Sequence, residues 1–375
     1  MGVRPKRILV APLNWGLGHA TRCIPLIKSL QQNQCEVILA ANGAAAQLLQ
    51  SEFPTLTLLT PPATEITYSR SATFFVWHLI VQLPRMIKQV QQEKKWLAKQ
   101  IDMLQIEAVI SDNRYGLFHP SIPSILITHQ LEVKTGLGKW INKIVTQLMR
   151  RLLRHFDELW IPDYTSAFSL AGELSHPKTT SLPPVKYLGL LNRFAGLTNS
   201  TPQHAGSVLL MVSGPEPQRS LLEKIFREQL VTYPGDFTLI CGKPKITQVK
   251  NTEGKESLPL LYGISTNAIH EHLDAHQLQE EINNAEFIIC RSGYTSLMEL
   301  IPTGKKLLLI PTPGQAEQTY LAKYCQEQGY APYLTQKEFT LEKALQVIQQ
   351  FSYTPYRPPA MELNQWIKNW LNHTR

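Results

Sequence analysis

The sequence predicts an α/β fold with two domains, each built on a mainly parallel β-sheet that is covered by helices. Short apolar runs alternate with longer amphipathic segments along most of the chain, which is the pattern of alternating strands and helices. An opening unit of strand, glycine-containing turn and helix occurs at residues 8–30 and again at residues 207–229. A chain of 375 residues has the length for two such domains.

The domain boundary is predicted at residues 196–203, because polar and helix-breaking residues follow one another there without an apolar pattern. This divides the chain into a first domain over residues 1–195 and a second domain over residues 204–355. The last residues, 356–375, combine a proline-containing start with a terminal helix that carries two tryptophans.

In the first half, the apolar run Ile8–Leu13 predicts a buried strand, and Ala20–Leu30 predicts the helix that follows it. Parallel strands are buried on both faces and therefore have nearly continuous apolar sequences. On this basis the further strands are Glu36–Ala41, Thr55–Leu59, Glu107–Ser111, Ile125–Thr128 and Glu158–Ile161, and the further helices are Ala44–Glu52 and Lys139–His155.

Residues 73–105 combine an aromatic start with a basic end. The aromatic and aliphatic side chains lie between Phe74 and Leu83, and the basic side chains lie between Arg85 and Lys95. A membrane-surface patch with a cationic rim has this pattern, and so does a core helix followed by a solvated helix; both interpretations stay open. The apolar stretch is too short to cross a bilayer, which takes about 20 residues.

The second half repeats the strand and helix alternation. The predicted strands are Ser207–Val212, Phe237–Cys241, Phe287–Cys290, Lys306–Ile310 and Ala331–Leu334, and the predicted helices are Gln218–Gln229, Thr295–Thr303, Tyr320–Gly329, Thr340–Phe351 and Ala360–Asn372. Residues 311–318 are predicted as a polar loop. The run His270-Glu271-His272 has residue types found in metal sites, but no third ligand is spaced to join it, so a surface loop is predicted.

Polar residues collect where the strand Phe287–Cys290 ends, in the turn and helix start formed by Arg291, Ser292, Gly293, Thr295 and Ser296. Ligands bind at the carboxyl ends of strands in open α/β sheets. Glycine lets the backbone approach a ligand closely, and the amides that open a helix favour an anion. The Arg291 side chain could add a charged fork for a phosphate.

Further groups around this turn suit the rest of a sugar nucleotide. Glu299 lies one helical turn further on, where a carboxylate could accept hydrogen bonds from a ribose diol. Gln315, Glu317 and Gln318 follow the next strand and could hold sugar hydroxyls. Gly214, in the turn after Ser207–Val212, could offer a backbone contact to a diphosphate. Together these residues indicate a site for a nucleoside diphosphate joined to a sugar.

This stretch resembles the donor-binding motif of GT-B glycosyltransferases that use UDP-sugars. The resemblance extends to plant-type UDP-glycosyltransferases and to the enzymes that add N-acetylglucosamine to the lipid-linked peptidoglycan precursor. Glu299 falls on the ribose-binding Glu of that family, Gly293 and Ser296 fall on its phosphate turn, and Glu317-Gln318 falls on its sugar-contacting pair. The resemblance implies two facing Rossmann-like domains and a C-terminal helix that crosses back to the first domain.

A second set of polar residues follows the predicted strands of the first half. These residues are Asn14, Gly16, Gly18 and His19 after the first strand, Asp112, Asn113 and Arg114 after Glu107–Ser111, and His129 after Ile125–Thr128. Because neighbouring parallel strands end at the same edge of a sheet, we expect these residues to line a common cleft on the acceptor side.

The family resemblance implies a catalytic role for two of these residues. His19 would remove a proton from the acceptor hydroxyl, and Asp112 would fix the tautomer of His19. His129 is a second candidate for the base. Simpler interpretations stay open, with His19 bonding the backbone at a helix start and Asp112 capping its own turn. Arg291 differs from the plant enzymes, which have His at that position.

The composition of the sequence indicates what kind of partner and which cellular compartment to expect. The formal net charge is +8, which favours an anionic partner, while the positive charge is spread out and no basic–aromatic motif for nucleic acid is present. The five cysteines are scattered and have no metal-binding spacing, as expected for reduced thiols in the cytosol. No secretory signal is visible at the N-terminus.

The sequence therefore predicts a cytoplasmic glycosyltransferase, with contact to the inner face of the membrane left open, that moves a sugar from a nucleotide donor, UDP by resemblance, to an acceptor hydroxyl. The resemblance implies an inverting reaction, an acceptor that could be a lipid or a lipid-linked saccharide, and neither a metal ion nor another cofactor. Two alternatives remain: an epimerase or hydrolase of nucleotide sugars on the same fold, and a nucleotide-sugar binder without activity.

Overall fold

The computed structural model describes residues 4–63, 75–177, 181–194, 206–243 and 269–373, with the helix backbone alone for 75–83 and 86. The chain forms two compact units. The first contains Met1–Arg193, Gly314–Leu321 and Arg357–Arg375, and the second contains Phe194–Pro313 and Ala322–Tyr356. The linker predicted at 196–203 and the domain bounds stay predictions, since the linker lies outside the described residues.

Strands and helices alternate through the described residues. The strands are β1 (Arg7–Pro12), β2 (Glu36–Ala40), β3 (Leu58–Leu59), β4 (Ala108–Asp112), β5 (Ser124–Ile127), β6 (Glu158–Ile161), β7 (Val185–Tyr187), β8 (Val208–Met211), β9 (Phe237–Ile240), β10 (Ile269–His270), β11 (Phe287–Cys290) and β12 (Lys306–Leu309). The helices are α1 (Gly18–Gln32), α2 (Gly43–Glu52), α3 (Phe75–Leu104), α4 (Lys139–Leu153), α5 (Gln218–Leu230), α6 (Ala275–Asn284), α7 (Tyr294–Leu300), α8 (Ala316–Glu327), α9 (Leu341–Gln350) and α10 (Leu363–His373).

The first unit contains a seven-stranded parallel sheet in the order β3-β2-β1-β4-β5-β6-β7. The central strands are buried on both faces, which explains their continuous apolar sequences. The chain leaves β1, β4 and β5 at the same edge, because the three strands are parallel neighbours. The turns that carry the polar residues of the first half are therefore adjacent.

The second unit contains a five-stranded parallel sheet in the order β10-β9-β8-β11-β12. One face packs against α5 and α9 in a core that includes Leu210, Phe226, Ile289 and Ile348. Because β8 and β11 are neighbours, the turn with Gly214 and the turn with Gly293 leave the sheet side by side. The predicted α/β class with parallel sheets is confirmed in both units.

The C-terminal helix α10 packs within the first unit. Its Trp366 and Trp370 meet the fully buried Trp160 of β6 edge to face, with ring centroids 4.7 and 5.0 Å apart. The Lys6 ammonium donates to the Leu371 carbonyl at 2.9 Å, and Asn33 at the end of α1 donates to the Asn364 side chain. The returning helix implied by the family resemblance is therefore present.

Several elements differ from the sequence prediction. The short edge strands β7 and β10 and the helix α6 were not predicted, and His270 lies in β10 rather than in a surface loop. The predicted strand Ala331–Leu334 is reduced to one bridge between Tyr333 and Leu309. Helix α8 begins at Ala316 rather than at Tyr320, because the polar residues after Gly314 start the helix.

Helix α3 runs from Phe75 to Leu104 through Pro84, so the core helix and solvated helix of one interpretation of residues 73–105 form a single helix. Phe74 and the aromatic side chains up to Leu83 lie outside the described residues, and the membrane patch assigned to them stays a prediction. Within the described part of the chain, no helix has both the length and the apolar character needed to cross a membrane.

We predict that Trp370→Ala lowers the free energy of unfolding by about 3 kcal/mol, because it removes a buried indole that packs on Trp160. Urea titration followed by circular dichroism measures the change. Trp140→Ala is the matched control: that side chain is 80 % exposed on α4, and its loss should change stability by less than about 0.5 kcal/mol. Equal effects of the two substitutions would contradict the packing role of α10.

Candidate functional site

The best-defined polar cluster of the first unit lies where β1, β4 and β5 end. His19 lies in the first turn of α1, directly after the loop that follows β1, and Asp112 is the last residue of β4. The His19 Nδ1 atom is 2.8 Å from the Asp112 Oδ1 atom. The structure therefore brings together the two residues that the sequence named as a catalytic pair.

Arg22 belongs to the same cluster and was missed by the sequence analysis. Its guanidinium contacts both carboxylate oxygens of Asp112, and both side chains are almost completely buried. Its Nη2 atom also lies 2.8 Å from His19 Nδ1. The signal available in the sequence was the spacing, since residues three apart in a helix share a face.

Burial and charge together set the proton affinities of this cluster. Burial alone would raise the pKa of Asp112, but the charges of Arg22 and His19 and their hydrogen bonds lower it to about 2. Burial lowers the pKa of His19, and the Arg22 charge lowers it further, against the opposing effect of Asp112. Asp112 is therefore ionised and His19 is neutral at neutral pH, which is the state in which an imidazole can accept a proton.

His129, directly after β5, joins the cluster from the other side of Arg22. Its Nδ1 atom is 3.3 Å from Arg22 Nη1, and its Nε2 atom is 2.8 Å from Glu317 Oε1. Burial would raise the pKa of Glu317, but the hydrogen bond and charge of His129 lower it below its ordinary value. Glu317 was predicted in a loop but lies in the first turn of α8, where it is about one-third exposed.

The remaining residues predicted for the acceptor side lie at the same edge of the sheet. The Asn14 side chain packs against Gly43, Gly16 has a positive φ of 77°, and Gly18 begins α1. Asn113 also has a positive φ, 54°, and its side chain accepts a hydrogen bond from the Tyr115 hydroxyl at 3.4 Å. These residues shape the turns beside the His19 cluster.

Arg114 requires a correction, because the cleft-facing role predicted for it does not agree with its contacts. Its guanidinium forms a buried ion pair with Glu93 of α3 at 2.8 Å and donates to Asn42 and to the Pro62 carbonyl. Burial lowers the pKa of Arg114, against the effect of Glu93. The side chain therefore joins the loop after β4 to α3 and to the loops after β2 and β3.

In the second unit, the residues predicted to bind the donor lie where β8 and β11 end. Gly214 has a positive φ of 103° and is exposed, Ser292 and Gly293 form the turn after β11, and Thr295 and Ser296 lie in the first turn of α7. Glu299 lies further along α7 and is 6 % exposed. Each of these residues is at the carboxyl edge of the sheet or in the helix that begins there.

Arg291 also requires a correction. Its side chain is 1 % exposed and donates to the Gln218 carbonyl at 3.0 Å and to the Gln336 side chain at 2.7 Å, with longer contacts to the carbonyls of Ile310 and Pro311. The guanidinium thus ties the ends of β11 and β12 to the start of α5. This inward direction does not fit the phosphate-facing fork that the sequence predicted.

The three residues predicted to contact the sugar lie at the start of α8, within the first unit. Gln318 donates to the Gln315 side chain at 2.7 Å, and Glu317 accepts from His129. The helix start thus presents three polar side chains that are ordered by contacts with one another and with the His19 cluster.

Part of the chain matches a known protein family, and most of it is similar in sequence to known glycosyltransferases. Residues 217–369 match the glycosyltransferase family 28 C-terminal domain. An uncharacterized glycosyltransferase of Methanosarcina acetivorans is 24 % identical, with 92 % of this chain and 91 % of the relative covered. The UDP-N-acetylglucosamine–N-acetylmuramyl-(pentapeptide) pyrophosphoryl-undecaprenol N-acetylglucosamine transferase of Pasteurella multocida is also 24 % identical, with 94 % and 90 % covered.

A solved structure supports the same architecture. The crystal structure of MurG from Acinetobacter baumannii superposes with a TM-score of 0.57 at 14 % identity and covers 99 % of this chain and 100 % of that one. At that identity the likeness supports the fold, while the matched domain and the glycosyltransferase relatives support the activity. The chain is a glycosyltransferase with the GT-B fold, and its residues 217–369 match a family 28 C-terminal domain.

Proposed function

We propose that this glycosyltransferase transfers a sugar from a UDP-sugar to an acceptor hydroxyl, with His19 as the general base. The observation that carries this proposal is the partly buried His19–Asp112 pair, in which the carboxylate contacts Nδ1 at 2.8 Å. This contact directs the lone pair of the opposite ring nitrogen, Nε2, toward a substrate proton. The Asp112 charge also favours the imidazolium ion that forms when His19 takes that proton.

The donor is proposed to bind at the edge of the second sheet where β8 and β11 end. Gly214 and Gly293 leave adjacent strands there, so the backbone can approach a diphosphate from two neighbouring turns. Glu299 in α7 would accept hydrogen bonds from the ribose. The name of the Pasteurella multocida relative specifies a UDP-sugar donor, which supports uridine diphosphate as the nucleotide part.

The proposed reaction is an inverting displacement at the anomeric carbon. The acceptor oxygen forms a bond to that carbon while its proton moves to His19 Nε2, and the bond from the carbon to the donor phosphate breaks. The electron pair of that bond leaves with UDP. Gln315, Glu317 and Gln318 would hold the sugar hydroxyls during this step. Independence from metal ions and other cofactors stays a prediction from the family resemblance.

Glu299→Ala should weaken UDP binding about thirtyfold, because a charge-assisted hydrogen bond contributes roughly 2 kcal/mol. Isothermal titration calorimetry with UDP measures the affinity. Glu342→Ala, at an exposed position near the start of α9, is the matched control and should leave the affinity within twofold. An unchanged affinity in Glu299→Ala would contradict the ribose contact, and a wild type that does not bind UDP would contradict the proposed donor.

His19→Gln should reduce transfer by a factor of about 10² to 10⁴ without weakening UDP binding, because it removes the general base and leaves the donor site intact. Sugar transfer to an extracted lipid acceptor and UDP release are measured together. His276→Gln is the control, since that side chain is 82 % exposed on α6. Donor turnover that needs no acceptor would favour the hydrolase or epimerase alternative.

The pH profile of the same reaction tests the lowered pKa of His19. A base acts in its neutral form, so activity should rise with pH through a midpoint below the ordinary histidine value of 6.5. A midpoint clearly above 6.5 would contradict the lowering of the His19 pKa by burial and by the Arg22 charge.

We further propose that α4 contacts an anionic membrane surface, which would bring the enzyme to a lipid-linked acceptor at the inner face of the membrane. Trp140, Ile144 and Leu148 recur every four residues and are 80 %, 57 % and 46 % exposed. Lys143 and Arg151 are exposed on the same helix. An exposed apolar stripe with basic neighbours fits an interface rich in anionic lipid.

Trp140→Ser combined with Ile144→Ser should abolish most binding to vesicles that contain anionic lipid, because it removes the two most exposed apolar side chains of the stripe. Sedimentation with phosphatidylglycerol vesicles measures the bound fraction. Leu221→Ser is the control, since Leu221 is 46 % exposed on α5, outside the stripe. Wild-type protein that stays in the supernatant would contradict membrane contact through α4.

A further inference from the structure

Arg22 contacts three side chains of the His19 cluster: Asp112, His19 and His129. It is 1 % exposed, it pairs with both oxygens of Asp112, and it reaches the Nδ1 atoms of both His19 and His129. A guanidinium has five N–H donors and no acceptor. A histidine nitrogen that accepts from it must therefore present a lone pair, so the contacts of each ring bear on where its imidazole proton lies.

The contacts of His129 permit one neutral tautomer. Its Nδ1 atom faces Arg22 Nη1 at 3.3 Å and its Nε2 atom faces Glu317 Oε1 at 2.8 Å. A carboxylate accepts hydrogen bonds, so the proton lies on Nε2, and the Nδ1 lone pair faces Arg22. In the other neutral tautomer, an N–H at Nδ1 would face the N–H of Arg22, and a lone pair at Nε2 would face the Glu317 carboxylate. A protonated ring would still place an N–H at Nδ1 against Arg22.

The contacts of His19 favour the opposite tautomer. Its Nδ1 atom is 2.8 Å from both Asp112 Oδ1 and Arg22 Nη2, and one nitrogen cannot donate to the first and accept from the second at once. Both contacts involve a charged partner, but Asp112 Oδ1 can only accept, whereas Arg22 Nη2 already donates to that oxygen and does not depend on the imidazole for an acceptor. The proton therefore lies on Nδ1, and the lone pair lies on Nε2.

We propose that the Arg22–Asp112 pair holds His19 and His129 in opposite tautomers, so that His19 accepts the substrate proton and His129 orients Glu317. Asp112 accepts from His19 Nδ1, and Arg22 acts as a positioning residue that donates to His129 Nδ1. This proposal deepens the proposed function, because it decides between the two candidate bases. Both nitrogens of His129 are engaged, one by Arg22 and the other by Glu317. Its imidazole thus links the base cluster to the first turn of α8, where the sugar-contacting residues are proposed to lie.

The charges around His19 agree with a neutral ring. Arg22 is positive, and Asp112 and Glu317 are negative. Against the effect of burial, Arg22 and His19 lower the pKa of Asp112, and the contact with His129 lowers the pKa of Glu317. Two further titratable groups face the cluster, Tyr115 and Cys23; burial, with Asp112 nearby, raises the pKa of each, so both stay neutral near pH 7. Arg22 therefore supplies the positive charge that opposes protonation of His19.

Long-range 1H–15N correlation spectra of protein labelled with 15N-histidine test the proposal without any substrate. A protonated and a lone-pair imidazole nitrogen resonate far apart, so each tautomer is read directly. His19→Gln and His129→Gln assign the two rings among the 11 histidines. We expect the lone pair on Nε2 in His19 and on Nδ1 in His129. The same tautomer in both rings of the wild type would overturn the proposal.

Two substitutions separate the charge of Arg22 from its geometry. Arg22→Met removes the positive charge beside His19 and should raise the midpoint of His19 protonation by about one pH unit or more. Arg22→Lys keeps the charge and loses the planar fork, so the midpoint should stay low while His129 shows a mixture of tautomers. Unchanged tautomers and an unchanged midpoint in both variants would contradict the role of Arg22.

Arg114→Met controls for the loss of a buried ion pair, because Arg114 pairs with Glu93 instead of the histidines. It should leave both tautomers and the His19 midpoint unchanged. If Arg22→Met does not fold, the wild-type spectra and those of Arg22→Lys still test the tautomer assignment. Opposite tautomers with undiminished transfer by His19→Gln would leave the tautomer assignment intact and contradict the proposed base. If both wild-type rings have the same tautomer and His19→Gln still loses transfer, the role of Arg22 is contradicted while His19 remains the proposed base.

Discussion

The polar edge of the first unit depends on the buried ion pair between Arg22 and Asp112. Removing two charges from water costs several kcal/mol for each ion, and this cost is offset only by close geometry and further hydrogen bonds. The structure meets both conditions, since the guanidinium contacts both carboxylate oxygens and also reaches two imidazoles. A pair of this kind contributes little net stability, and its value lies in the fixed positions that it gives to its neighbours.

The strand order of the first sheet makes this pairing possible. His19 and Arg22 follow β1, Asp112 ends β4, and His129 follows β5, and these three strands are parallel neighbours. Their turns therefore emerge side by side, although the residues are separated by about a hundred positions in the chain. The same principle governs the second unit, where Gly214 and Gly293 follow the neighbouring strands β8 and β11.

The three buried arginines of the described residues differ in the direction of their side chains. Arg22 reaches the edge where the site is proposed, whereas Arg114 and Arg291 point inward to Glu93 and to backbone carbonyls. All three are buried, and all three follow the end of a strand by ten residues or fewer. The residue type and its place in the sequence therefore do not distinguish an arginine of the site from one that holds the scaffold.

The sequence by itself determined the alternation of strands and helices, because buried parallel strands need continuous apolar runs, and β11 was predicted at the bounds that the structure has. It missed β7 and β10, which have three and two residues and too little apolar pattern to be recognised. It also named His19, Asp112, His129 and Glu317 from their positions at strand ends and from the family resemblance. Only the tertiary structure decided that Arg22 joins them and that Arg291 turns inward. A hydrogen bond requires a separation near 3 Å, and that separation depends on strand order and side-chain packing, which no local pattern records.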